Sequence, residues 1–342
     1  MQKLFKSIFN DANLSALLFV FIAFCLICAF AFGSAMYSGN NLQSLAFQIP
    51  EIGIVSLAMM LAFLVGGIDL SIVANACLSS IVAGFILTGQ LLPELSDGQR
   101  ISVAVVTALC LSTFLGFVNG FIIAKCAVSS LIATLGTMTL YSGIGMALTG
   151  GKSIVGFPDA FTSVGIATVY GVPVIFIEFI LIMLVMAVFL QKTGNGRKLY
   201  LFGGNPVASL FSGINNKRIT VLLFTSIGFL AGLAGLTIIM RVNSAKVGYG
   251  DAYIFQALIV CVIAGIHPAG GKGKVIGIGI TTLLMQMAAS AFTIMQLSPY
   301  TTKLIWGVML IIVLALTKDG RRLAKSIVTL KNKIQDNSTS TK

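Results

Sequence analysis

The sequence predicts an all-α, polytopic membrane protein with about ten transmembrane helices, some of them short or broken. Three observations carry that prediction. Of the 342 residues, 57% are hydrophobic and only 9% are charged, with a mean hydropathy of +1.01, whereas soluble domains carry about 25% charged residues. No Asp, Glu, Lys or Arg lies between Asp11 and Glu51, between Asp69 and Glu94, or between Arg218 and Arg241, and a span needs about 20 apolar residues. The basic residues also fall unevenly between alternate connections.

The first span is read at 14–36. Lys3 and Lys6 precede it as they would a signal peptide, but its apolar run exceeds the roughly 7–15 residues of a signal core, so it is expected to be retained. The second span, 50–65, is short, and opens with Pro50 at the first helical position and Glu51 in the first turn; helix initiation explains both. GGIDLS at 66–71 interrupts the apolar pattern before the third span, 70–89. Asp69 there either accepts the orphan N–H groups of the helix start or sets that helix end beside a polar solute.

Further spans follow at 101–124, 127–149, 172–190, 219–240, 253–266, 275–295 and 303–317. Glu178 lies about 9 Å along the helix axis from Val172 and is either a wall of an outer vestibule or a tolerated polar residue. Asn119, Gln286 and Ser290 are the other polar groups at depth, read as interhelical hydrogen-bonding groups or as solute contacts. Gly228, Gly232 and Gly235 suit a close helix approach. A second glycine-rich interruption, PAGGKGK at 268–274, separates the eighth and ninth spans. Each interruption has two readings: a tight turn at the membrane surface, or non-helical backbone lining a translocation pathway that includes Gly66 and Gly67.

With the N-terminus inside, Arg100, Lys152, Arg241, Lys246 and Lys303 fall outside and the rest of the 22 basic residues fall inside. That is the positive-inside pattern. The net charge of +12 is therefore a topology signal, spread over connections and not gathered on one face as nucleic-acid binding requires. A transmembrane domain spans 1–317. The tail, 318–342, carries Leu323, Ile327, Leu330 and Ile334 at helical spacing among basic residues, which suits an interfacial helix followed by a disordered end.

Several chemistries find no support. The six cysteines lie in or beside apolar spans; Cys25 and Cys28 form a CxxC on a lipid-embedded helix without a second ligand pair, and His267 stands alone, so packing is expected in place of metal chemistry. ALTGGKS at 147–153 has no strand before it and its spacing is one residue too long for a phosphate loop. Neither a metal nor a cofactor is expected in this chain, and an intramembrane enzyme lacks its set of nucleophiles and acids. A secondary transporter driven by an ion gradient is the alternative; it would bury several ionisable groups near midplane, and only Glu178 and Asp69 qualify.

The connection at 191–218, QKTGNGRKLYLFGGNPVASLFSGINNKR, is basic, capped and partly apolar. Asn205 is a cap, Pro206 occupies the first helical position and Gly213 supplies the stop, enclosing a helix of about two turns. Val207, Leu210 and Phe211 at i, i+3 and i+4 make one apolar face. On a cytoplasmic connection such a face is either buried against the protein's own spans or inserted into a groove on a partner.

Nearly the whole chain resembles the permease subunit of bacterial sugar-importing ATP-binding-cassette transporters, in the ribose and branched-chain amino-acid permease group. The resemblance rests on GGIDLS, on Gly196-Arg197 followed by GGNPVASLFSGI at 203–214, on LSPY at 297–300 and on the glycines around Gly270, Gly271 and Gly273. It implies a multi-pass bacterial inner-membrane subunit with cytoplasmic termini. Its implied partners are two cytoplasmic ATPases that bind ATP and Mg, a second permease, identical or paralogous, and an extracytoplasmic solute-binding protein. The helix at 205–213 would be the coupling helix that receives ATPase closure. Similar permeases commonly carry Gly-Gly, Thr or Ser, and Asn-Gly near Ala264-Gly265, His267 and Ser290-Ala291, where this chain departs.

Overall fold

A computed structural model describes residues 12–316. Lys3, Lys6 and the 318–342 tail lie outside the described residues. The chain divides into two units, 1–297 and 298–342.

The first unit runs α1 (Ala12–Phe32), a short α2 (Ser34–Tyr37), α3 (Gly39–Leu64), α4 (Ile72–Leu87), α5 (Asp97–Cys126) and α6 (Ser130–Thr149). After β1 (Ile154–Val155), α7 (Asp159–Ile166), β2 (Thr168–Val169) and β3 (Val172–Pro173) come α8 (Val174–Lys192), α9 (Gly194–Gly204) and α10 (Pro206–Phe211). Then follow α11 (Asn216–Val242), β4 (Ser244–Ala245), α12 (Asp251–Ile263) and α13 (Val275–Ile294). The second unit contributes α14 (Pro299–Leu316).

Among the described residues, seven helices are long and apolar enough to cross a membrane, and α4, α12 and α14 are shorter apolar helices. These ten coincide with the ten predicted spans. The structure is that of a polytopic helical membrane protein.

Helix α3 is the axis of the first unit. Of its most apolar window 89% is buried, against 17% for α1 and 22% for α8. It packs against α11, α12, α13 and α8. The second span is therefore not short: the helix extends over 26 residues, with Pro50 inside it and Ser38 as its N-cap, accepting from the Asn41 N–H at 3.3 Å. Proline removes one ladder donor, yet a helix enclosed by other helices tolerates the loss because its neighbours hold the backbone in place.

Glycine sets a close crossing between α5 and α11. A β-carbon on Gly116 would sit 2.7 Å from the Gly228 α-carbon, and one on Gly120 would sit 2.8 Å from that of Val221. Gly232 faces Ser112, and Gly235 faces Ala76 and Ser80 on α4. The small-residue spacing read in this span thus seats α11 on both α5 and α4, where dispersion contacts do the work that the hydrophobic effect cannot do in lipid.

The 150–171 segment, expected only as a connection, holds a helix and short strands. Ile154 and Val155 pair antiparallel with Ala245 and Ser244, and Asn243 Oδ1 accepts from the Phe157 N–H at 3.1 Å. Tyr170 and Gly171, both at positive φ (50° and 83°), turn β2 into β3, so α8 begins at Val174 and not at Val172. Two-residue strands carry no periodicity for a sequence to display.

Candidate functional site

The 191–218 connection folds as two helices. Its first part, for which the sequence reading proposes no helix, is α9: the Thr193 side chain caps it by accepting from the Gly196 N–H at 3.1 Å. Leu199 and Gly203 are buried along it. The second part is the expected capped helix α10, with Asn205 Oδ1 accepting from the N–H groups of Val207 and Ala208, both at 3.0 Å, Pro206 at the first position and Gly213 at φ 75° beyond its end.

Of the two fates open to the apolar face, the structure shows exposure. Val207 is 63%, Leu210 62% and Phe211 87% exposed. The opposite face is tied down: Ser209 Oγ donates to Asn216 Oδ1 at 2.6 Å and Asn216 Nδ2 donates to the Pro206 carbonyl at 2.8 Å. The α10 backbone is thereby fixed to the start of α11 while its three apolar side chains point away from the molecule.

Behind α10, three Gly-Gly pairs far apart in sequence meet. The Gly271 N–H donates to the Leu64 carbonyl at 2.9 Å, at the end of α3. A β-carbon on Gly203 would overlap that same carbonyl; one on Gly270 would lie 2.6 Å from the Gly203 carbonyl oxygen and 2.9 Å from the Gly66 nitrogen. Gly271 meets the Gly204 α-carbon at a similar distance, 2.6 Å from where its own β-carbon would stand. Gly66, Gly270 and Gly271 also hold positive φ, at 73°, 95° and 77°, which glycine adopts without the penalty other residues bear. Tyr200 adds a side-chain tie, its hydroxyl donating to the Gly273 carbonyl at 2.7 Å, and burial pushes its phenol pKa up. The 268–274 interruption thus touches the connection that carries α10 backbone against backbone, and the 66–71 break meets that interruption at Gly270.

The 66–71 break is held open by α6 and α5. Ser130 Oγ accepts from the Ile68 N–H and Thr134 Oγ1 from the Leu70 N–H, each at 3.1 Å. Asp69, 1% exposed, does not cap α4: its Oδ1 accepts from the Ser71 N–H at 2.8 Å and the Ser71 hydroxyl at 2.6 Å. Asn119 Nδ2 donates to Ser71 Oγ at 2.7 Å, and the Tyr141 hydroxyl donates to the Leu115 carbonyl at 3.0 Å and to Asn119 Oδ1 at 3.3 Å. Asp69 and Asn119 are thus members of one buried relay joining the break to α5 and α6.

The other polar residues read at depth bridge helices. Gln286 donates to Gln48 at 2.8 Å and Ser290 to Asn41 at 2.9 Å, fastening α13 to α3. Glu178 on α8 accepts from Thr237 on α11 at 3.4 Å. Glu51, explained from sequence as helix initiation, is instead buried in mid-helix; Arg241 Nε donates to its Oε1 and the Tyr253 hydroxyl to its Oε2, the latter at 2.6 Å. The signal that could have found this pair was an acid beside Pro50 in an otherwise uncharged stretch that runs back to Asp11. Among the described residues, no three His, Cys, Asp or Glu side chains gather as metal ligands.

A bundle of apolar spans that carries a short helix with an exposed apolar face is the architecture of a polytopic membrane protein. Residues 41–314 match the family described as "Branched-chain amino acid transport system / permease component", and the chain belongs to that family. It is 34% identical to the ribose import permease protein RbsC of Haemophilus influenzae, over 77% of this chain and 80% of that one. Identity to RbsC of Escherichia coli (strain K12) is 32%, over 83% and 86% of the two chains. The autoinducer 2 import system permease protein LsrD of Escherichia coli O9:H4 (strain HS) is 29% identical over the same shares. No solved structure matches.

Proposed function

We propose that this chain is the membrane-spanning subunit of an ATP-binding-cassette importer for a sugar or sugar-like polar solute. Its relatives named for ribose import support the solute class. Two ATPases on the cytoplasmic side, holding ATP and Mg, a second permease and an extracytoplasmic binding protein complete the assembly, with both termini of this chain in the cytoplasm and the chain in a bacterial inner membrane.

The observation that carries the reading is the exposed face of Val207, Leu210 and Phe211 on a helix whose base is joined through glycines to the end of α3. An apolar face of this kind suits a groove on a partner. Closure of the ATPases around α10 would move Asn205, Pro206 and Gly213 as one body. No side chain cushions the contacts of Gly203 with Leu64 and of Gly204 with Gly271, so the displacement reaches Gly66, Gly67 and the base of α3 directly. Close-packed interfaces transmit such shifts because they switch between discrete arrangements. The Asp69–Ser71–Asn119 relay holds the break in one arrangement, and Glu178, Gln286 and Ser290 supply polar groups beside α3 that a hydroxyl-rich solute can use as it passes.

Affinity purification in mild detergent tests the assembly. An ATPase and a second permease should come down with the chain, and purification of the chain alone, without bound ATPase, would overturn the reading.

A further inference from the structure

A cleft of about 170 Å³ opens between α3, α8, α9 and α11, lined by Leu61, Phe189, Leu199, Leu222, Leu223 and Ser226 among others. Water occupies a cavity only where it finds two or more polar partners, and this lining is apolar except near its ends. From Ile219 to Ser226 the cleft follows α11 for about 10 Å at 1.5 Å per residue, along helices long and apolar enough to span a membrane.

Asn195 and Ile219 line the cleft, and five exposed basic residues, Lys192, Arg197, Lys198, Lys217 and Arg218, lie within three residues of one or the other in sequence. None of these five forms a salt bridge among the described residues. The positive end of α9 opens at the same place, between Lys192 and Asn195. A slot of apolar side chains that ends in unneutralised cations matches an acyl chain carrying an anionic phosphate headgroup.

We infer that this cleft is a binding site for an anionic phospholipid, one acyl chain lying between α8 and α11 and the headgroup phosphate among the cations of α9 and the start of α11. The site requires only that the chain sit in a membrane, so it stands or falls apart from the ATP-driven reading. The ATPase-facing side chains of α10 lie elsewhere on the connection.

The test is native mass spectrometry of the full chain, released from micelles containing equal phosphatidylglycerol and phosphatidylcholine of matched acyl chains. The wild type should retain phosphatidylglycerol several-fold over phosphatidylcholine. Combined Arg197→Gln, Lys198→Gln and Arg218→Gln should bring the two lipids to parity, and Ser226→Trp, which fills the cleft, should lower retention of both. Size-exclusion profiles show that the variants remain folded. Parity in the wild type, unchanged retention in either variant, or displacement of the lipid by inorganic phosphate would overturn the inference. So would cross-linking of a Ser226→Cys chain to a second copy or to an ATPase.

Discussion

Gly203 of α9 stands against the carbonyl of Leu64, the last residue of α3, with no room between them for a methyl group. This contact ties the connection that bears α10 to the end of α3, whose most apolar window is 89% buried. The neighbouring Gly204 has open space where a β-carbon would go, so two adjacent glycines predict opposite outcomes. Gly203→Ala forces backbone apart and should cost about 1–3 kcal/mol, the usual range for overpacking; Gly204→Ala should leave thermal unfolding in detergent nearly unchanged. Melting curves of the two variants side by side check this.

The Glu51–Arg241 pair yields a second prediction. Glu51 is 1% and the Arg241 side chain 30% exposed, so removing the arginine leaves a buried carboxylate with only Tyr253. Arg241→Met should lower stability by about 2 kcal/mol or more, somewhat below the range for fully buried pairs. The double variant Glu51→Gln with Arg241→Met should recover most of the loss, because no uncompensated charge then remains. A double-mutant cycle read by thermal unfolding measures this coupling.

Within the relay, Ser71 is the middle member, donating to Asp69 and accepting from Asn119. Ser71→Ala should cost about 1–3 kcal/mol by leaving buried partners unsatisfied, whereas Tyr141→Phe removes only a terminal donor and should cost about 1 kcal/mol. Combining Ser71→Ala with Asn119→Ala should be clearly less than additive, since each removes the same bond.

The spans were legible because apolar runs of about 20 residues without charge have no other physical solution, and the Asn205-Pro206 start of α10 was legible because capping is local chemistry. What escaped was non-local. Glu51 beside Pro50 looks like a helix start until Arg241 and Tyr253, some 190 residues on, are brought against it. The glycine pairs at 66 and 270 read as a surface turn or as pathway-lining backbone, and nothing in a sequence reports that they meet each other and the Gly203-Gly204 end of α9. Thr193 and α9 were missed because a helix starting Gly-Asn-Gly has poor intrinsic propensity, which its packing against α8 overrides.

The central claim is that Val207, Leu210 and Phe211 form the face through which ATPase motion enters the membrane. Phe211 is 87% exposed, so Phe211→Asp should insert, fold and melt like the wild type. The decisive measurement is ATP-dependent solute uptake into vesicles holding the complete transporter with this one substitution. Uptake reduced to background, at normal levels of permease in the membrane, is the expected result; uptake at the wild-type rate would contradict the coupling role of α10.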